Sequence, residues 1–76
     1  MDEEATLHEL GKRIRMQRKS IGLTQEALAL VANVDRSYYG AVERGERNVT
    51  FTVLCRLCIA LKCDIARLTD KLPPDA

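Results

Sequence analysis

A chain of 76 residues, 46% of them hydrophobic and 30% charged, is sufficient for one small folded unit and too short for a separate ligand-binding domain. It contains no apolar run near the roughly 18 residues that span a membrane, and its acidic start is unlike a secretory signal. We therefore expect a cytoplasmic protein, with no membrane partner, whose residues 1–76 form one domain with its core at about 6–72.

The first predicted helix spans roughly residues 6–21 and ends at Gly22. Its apolar residues recur at helical spacing: Leu7, Leu10, Ile14 and Ile21. Between them lies a purely basic run: Lys12, Arg13, Arg15, Arg18 and Lys19. On a protein of net charge +1, such a stripe fits a small nucleic-acid footprint, although a solvated helix face would explain the charges alone.

Two short helices follow, separated by a tight turn. Thr24 is predicted to cap a helix over 25–32, and Asp35 a helix over 36–44. Asn33 tolerates the left-handed conformation that such a turn requires. Because the turn is only about three or four residues long, the two helices must cross steeply, as in a helix-turn-helix.

The apolar stretch from Phe51 to Leu61 predicts a fourth helix, and Asp64 is predicted to cap a short fifth one. The β-branched segment 49–53 resembles a strand, but a single strand would have no pairing partner. The predicted fold is therefore all-α, with five helices.

The third helix carries the functional prediction. Tyr39 and Val42 are predicted to face inward with Leu28 and to fix the crossing angle. Ala29 must be small because the third helix crosses close to it. The opposite face would then present Arg36, Ser37, Gly40 and Ala41, with Arg44 one turn on. A helix held in this way fits the major groove of duplex DNA.

These segments together resemble the Cro/C1-repressor helix-turn-helix family, also called XRE-like. The matching pieces lie in order over about residues 7–70: Leu10-Gly11, Ile14-Arg15, Arg18, Gly22 to Glu26, Leu28-Ala29, Ser37-Tyr38, Val42 to Gly45 and Asn48. The stretch Asp35 to Tyr38, with Glu43-Arg44 and Arg47-Asn48, is most similar to the controller proteins of restriction–modification systems. The resemblance implies a lambda-repressor-like domain that regulates transcription on an operator as a homodimer, with no cofactor, metal or small-molecule ligand.

The resemblance also implies residue roles. Arg36 and Ser37 would contact base edges, and Ala41 a thymine methyl group. Contacts with the DNA backbone would come from Thr24, Gln25, Tyr38, Arg44, Arg47 and Asn48. Arg18 and Glu43 would form a buried ion pair between the first and third helices.

A second copy of the chain is the other predicted partner. One helix-turn-helix contacts too few base pairs to select a site, so such domains usually bind as two-fold dimers. The last two helices carry more apolar residues than one face of a small monomer can cover. The predicted dimer interface consists of Phe51, Val53, Leu54, Leu57, Ile65 and Leu68.

Two other functions are compatible with parts of the sequence. A protein-interaction module, such as an antitoxin or phage adaptor, could use the same fold, but the basic stripe and Arg36, Arg44 and Arg47 argue against it. A zinc or thiol enzyme would need Cys55, Cys58, Cys63 and His8. Cys55 and Cys58 interrupt an apolar helix, where free cysteine behaves as a small hydrophobe, so core packing explains the cysteines better than a metal site. No catalytic pairing has a supporting third group.

Overall fold

The computed structural model describes residues 1–75, which contain five helices and no strand. The helices are α1 (Glu3–Ser20), α2 (Gln25–Ala32), α3 (Arg36–Glu43), α4 (Phe51–Leu61) and α5 (Ile65–Thr69). The segment before Phe51 is an extended lead into α4, so the decision against a strand there is confirmed. None of these helices combines the length and apolarity that crossing a membrane would demand.

Every helix begins at a side-chain cap. The capping oxygen accepts from the backbone N–H three residues on, at 2.9–3.2 Å, in all five cases: Asp2, Thr24, Asp35, Thr50 and Asp64. A cap of this kind satisfies one of the N–H groups that a helix start leaves free. The cap at Asp2 starts α1 three residues before the predicted position.

The turn between α2 and α3 is as short as expected. Asn33 adopts the left-handed conformation, with φ 57° and ψ 49°, and Asp35 already caps α3. α3 ends at Glu43, one residue earlier than predicted, because Arg44 is its C-cap. Gly45 follows with φ +76°, a conformation that glycine adopts without strain.

The core lies where α1 and α4 meet the crossing of α2 and α3. Its fully buried side chains are Ile14, Leu28, Tyr39, Val42, Leu57, Leu61 and Leu68. At Gly11 a Cβ atom would lie 2.6 Å from the Val42 carbonyl oxygen, so the backbones of α1 and α3 touch. This contact holds the third helix at a fixed angle to the rest of the molecule.

The core corrects part of the predicted dimer interface. Leu54, Leu57 and Leu68 are 7%, 0% and 0% exposed, so they pack inside this chain and cannot meet a second copy. The prediction is wrong for these three because the small core needs them. Val53 and Ile65 are half-buried, and Phe51 remains 68% exposed.

Candidate nucleic-acid interface

The first turn of α3 points into solvent. Arg36 and Ser37 follow the Asp35 cap and are both exposed, whereas Tyr39 and Val42 anchor the helix in the core. A groove of about 710 Å³ beside Arg36 runs to the N-terminus of α2, where it is lined by Thr24 and Gln25. The predicted outward presentation of Arg36 and Ser37 is therefore confirmed.

The exposed face of α3 is shorter than predicted. Gly40 is buried, and Ala41 is only 9% exposed, because α3 packs against both α1 and α2 beyond its first turn. A Cβ atom on Gly40 would lie 3.3 Å from the Arg44 guanidinium and 3.4 Å from Oε1 of Gln25. These two side chains lie beside Gly40. The prediction that Ala41 contacts a base is wrong, because Ala41 is buried within this chain.

A buried cluster around Glu43 ties three helices together. Arg18 of α1 donates from Nε to Oε2 at 2.6 Å and from Nη2 to Oε1 at 3.0 Å, so the predicted ion pair is present. Gln25 of α2 donates to Oε1 at 2.9 Å, and the Tyr39 hydroxyl donates to Oε2. Each carboxylate oxygen thus accepts two hydrogen bonds, which compensates for burying the charge.

The environment of this cluster keeps the ion pair charged. Burial acts to raise the pKa of the Glu43 carboxyl, but hydrogen bonds from Arg18, Tyr39 and Gln25 outweigh it and hold that pKa below its ordinary value. The hydrogen bond to Glu43 raises the pKa of Arg18. Burial, with the same carboxylate as acceptor, raises the pKa of Tyr39. All three groups keep one protonation state near neutral pH.

Sequence reasoning found Arg18 and Glu43 but missed the other two members of the cluster. Gln25 was expected only at a phosphate, and Tyr39 only in the apolar core. The signal for Tyr39 was available, since it precedes Glu43 by four residues and shares its helix face. No comparable sequence signal connects Gln25 with Glu43.

A second group of polar residues lies behind the exposed turn of α3. The Tyr38 hydroxyl donates to the Asn48 carbonyl oxygen at 3.2 Å, and the Arg47 guanidinium lies over the Tyr38 ring, 5.2 Å from its centre. This stacking is a cation–π contact, which restrains a long side chain. Arg44 is exposed, and its Nε lies 3.1 Å from the Glu46 carboxylate. An exposed pair of this kind is weak, so the guanidinium can exchange partners.

Comparison with known proteins gives the class to which this arrangement belongs. The sequence model of the family described as "Helix-turn-helix" matches residues 14–68, well over half of the chain. This chain belongs to the helix-turn-helix family.

Similar proteins within the helix-turn-helix family include restriction–modification controller proteins. The control protein C.SmaI of Serratia marcescens is 41% identical over 59 residues, which cover 78% of this chain and 70% of that protein. The crystal structure of the restriction–modification controller protein C.AhdI from Aeromonas hydrophila matches with a TM-score of 0.80 at 44% identity, over 82% of this chain and 94% of that one. The predicted likeness to controller proteins and the all-α, five-helix fold are confirmed.

A third relative has a crystal structure in complex with DNA. The controller protein C.Esp1396I, crystallised as a tetramer in complex with its natural 35 base-pair operator, matches with a TM-score of 0.75 at 33% identity. The match covers 80% of each chain.

Proposed function

We propose that this protein is a sequence-specific regulator of transcription that binds duplex DNA as a homodimer, in the manner of restriction–modification controller proteins. The observation that carries the proposal is the exposed first turn of α3, with Arg36 and Ser37 outward on a helix anchored by Tyr39. Two of the five N–H donors of an arginine side chain can bond the O6 and N7 acceptors of guanine in the major groove.

The exposed first turn of α3, with Arg36 and Ser37, is called the reading turn below. Contacts with phosphates would flank it on both sides. On one side, the first N–H groups of α2 have no acceptor within the helix, and Gln25 keeps one amide hydrogen free beside them. On the other side, Arg44, Arg47 and Asn48 are all exposed just beyond α3. Together these groups would fix the position of α3 on the duplex.

The second copy would bind through the exposed side of α4. Phe51 and Ile59 are 68% and 78% exposed there, with Val53 and, on α5, Ile65 half-buried. Covering these side chains would remove apolar surface from water and pair two reading turns on one operator. The proposed activity uses no catalytic group and no cofactor, and it places the protein in the cytoplasm with the DNA.

The test begins with selection of bound duplexes from a random pool, followed by binding titrations on the selected site. Arg36→Ala should relax the base preference at one position, at a cost of about 1–3 kcal/mol. Arg47→Ala should weaken binding to all sequences alike and reduce the salt slope by about one.

A matched control is Lys71→Gln, which removes one exposed positive charge far along the chain from α3. If neither arginine variant differs from this control, the docking arrangement is wrong. Weak binding that does not depend on salt would instead favour a protein partner for the same fold.

A further inference from the structure

A groove of about 800 Å³ lies between α1 and the ends of α2 and α3, outside the reading turn. Its wall on α1 carries His8, Lys12, Arg15 and Lys19, and its far edge carries Gln25 and Arg44. Gln25 and Arg44 are among the proposed phosphate contacts. The groove is therefore continuous with the proposed DNA interface.

The groove is strongly positive. Glu43 is the one acid among its lining residues, and its charge is matched by Arg18. Lys12, Arg15 and Lys19 are exposed and form no ion pair within residues 1–75. Their spacing of three and four residues places them on one side of α1.

The other basic residue of α1 behaves differently. Arg13 donates to the Glu9 carboxylate at 3.0 Å and to the carbonyl oxygens of Leu68 and Asp70 at 3.3 and 2.6 Å. It joins α1 to the α5 region and has a structural role. The basic run therefore divides into residues bonded within the protein and three cations that face the groove without partners.

We propose that Lys12, Arg15 and Lys19 form a second DNA-contact surface, which binds the phosphate backbone beside the bases contacted by α3. This inference rests on the proposed function and extends the interface to a helix outside the helix-turn-helix. Lys12 and Lys19 are two helical turns apart, about 10 Å along the axis. Three long cationic side chains in a row of that length can each reach a phosphate, because each strand carries one negative charge per nucleotide.

The phosphate contacts would act without regard to sequence. Each lost contact lowers the slope of log K against log salt concentration by about 0.9. The test variant is Lys12→Gln/Arg15→Gln/Lys19→Gln. Its control, Lys62→Gln/Arg67→Gln/Lys71→Gln, removes the same charge from exposed positions on another part of the chain. Both are titrated with selected and unrelated duplexes over a range of salt.

The test variant is expected to bind both duplexes about tenfold or more weakly at 0.1 M salt and to lose about 2.7 from the slope per chain. Its preference for the selected site should not change. The exchange variant Lys12→Arg/Arg15→Lys/Lys19→Arg keeps the charge and should bind like the original protein. Thermal unfolding of each variant verifies that the fold is retained.

Two results would overturn the inference. If the original protein binds with a strong salt dependence and the test variant matches its control, the α1 surface is not in contact with DNA, while the proposed function stands. If the original protein shows no salt-dependent binding to any duplex, the proposed function fails and this inference fails with it.

Discussion

Replacing Glu43 by glutamine would test how far the fold depends on the buried cluster. Four donated hydrogen bonds converge on the carboxylate, from Arg18 twice, Gln25 and Tyr39. In Glu43→Gln one oxygen becomes an NH₂ group, which would face donors instead of accepting from them. The positive charge of Arg18 would also remain buried without its counter-charge.

The expected cost is large for a protein of this size. Breaking a buried ion pair from one side costs about 3–5 kcal/mol. At 0.05–0.15 kcal/mol per residue, the whole free energy of unfolding is roughly 4–11 kcal/mol. Since 1 kcal/mol corresponds to about 4–8 °C for small domains, the midpoint of thermal unfolding should fall by at least about 12 °C.

Urea and thermal unfolding, followed by circular dichroism, would measure the loss. Both proteins must be compared at one concentration, because the stability of a dimer depends on it. Arg18→Met and the double variant complete a mutant cycle, in which the double variant should cost less than the sum of the single ones. A loss below about 1 kcal/mol in Glu43→Gln would refute the assigned importance of the cluster.

The same structure supports three further predictions. The folded-state pKa of Glu43 lies below its ordinary 4.5, so the stability that Glu43 contributes is complete above that value and is lost as the pH falls through the folded pKa. Urea midpoints measured from pH 7 to 3 should therefore decline less in Glu43→Gln than in the original protein. Parallel plots of midpoint against pH for the two proteins would contradict this. Gly11→Ala should cost about 1–3 kcal/mol in urea unfolding, because its Cβ would lie 2.6 Å from the Val42 carbonyl oxygen; a gain in stability, as for an unhindered helix position, would show that α1 and α3 can separate freely. Asp35→Ala should lose about 1 kcal/mol with the cap on the Tyr38 N–H, whereas Asp35→Asn should lose much less; equal thermal midpoints for the two would count against the cap.

The helix boundaries could be predicted wherever one residue decides them. Thr24, Asp35 and Asp64 each place an oxygen near an N–H three residues on, and this depends only on local geometry. The predicted start of α1, at about residue 6, was wrong because the capping role of Asp2 was not recognised. Asp2 was assigned to an acidic leading segment, although an aspartate followed by two glutamates is also a good first turn.

Burial was harder to predict because it depends on contacts between helices. Ala41 was placed on the DNA face since nothing in the sequence shows that α1 and α2 cover α3 beyond its first turn. The assignment of Leu54 and Leu57 to a dimer interface could have been avoided. They share one helix face with Cys58 and Leu61 at spacings of three and four, which is the pattern of a side turned to the core.

The turn after α3 bears on the ordering cost of the proposed DNA binding. A Cβ atom at Gly45 would lie 2.7 Å from Cα of His8, and Gly45 has φ +76°. The loop after α3 therefore packs closely against α1, and its backbone has little freedom to move. Arg44 and Arg47 flank that loop. Their backbone positions are settled when the chain folds, so little conformational entropy remains to be lost on association. Docking should then resemble the meeting of two rigid bodies, with most of the ordering cost confined to side chains.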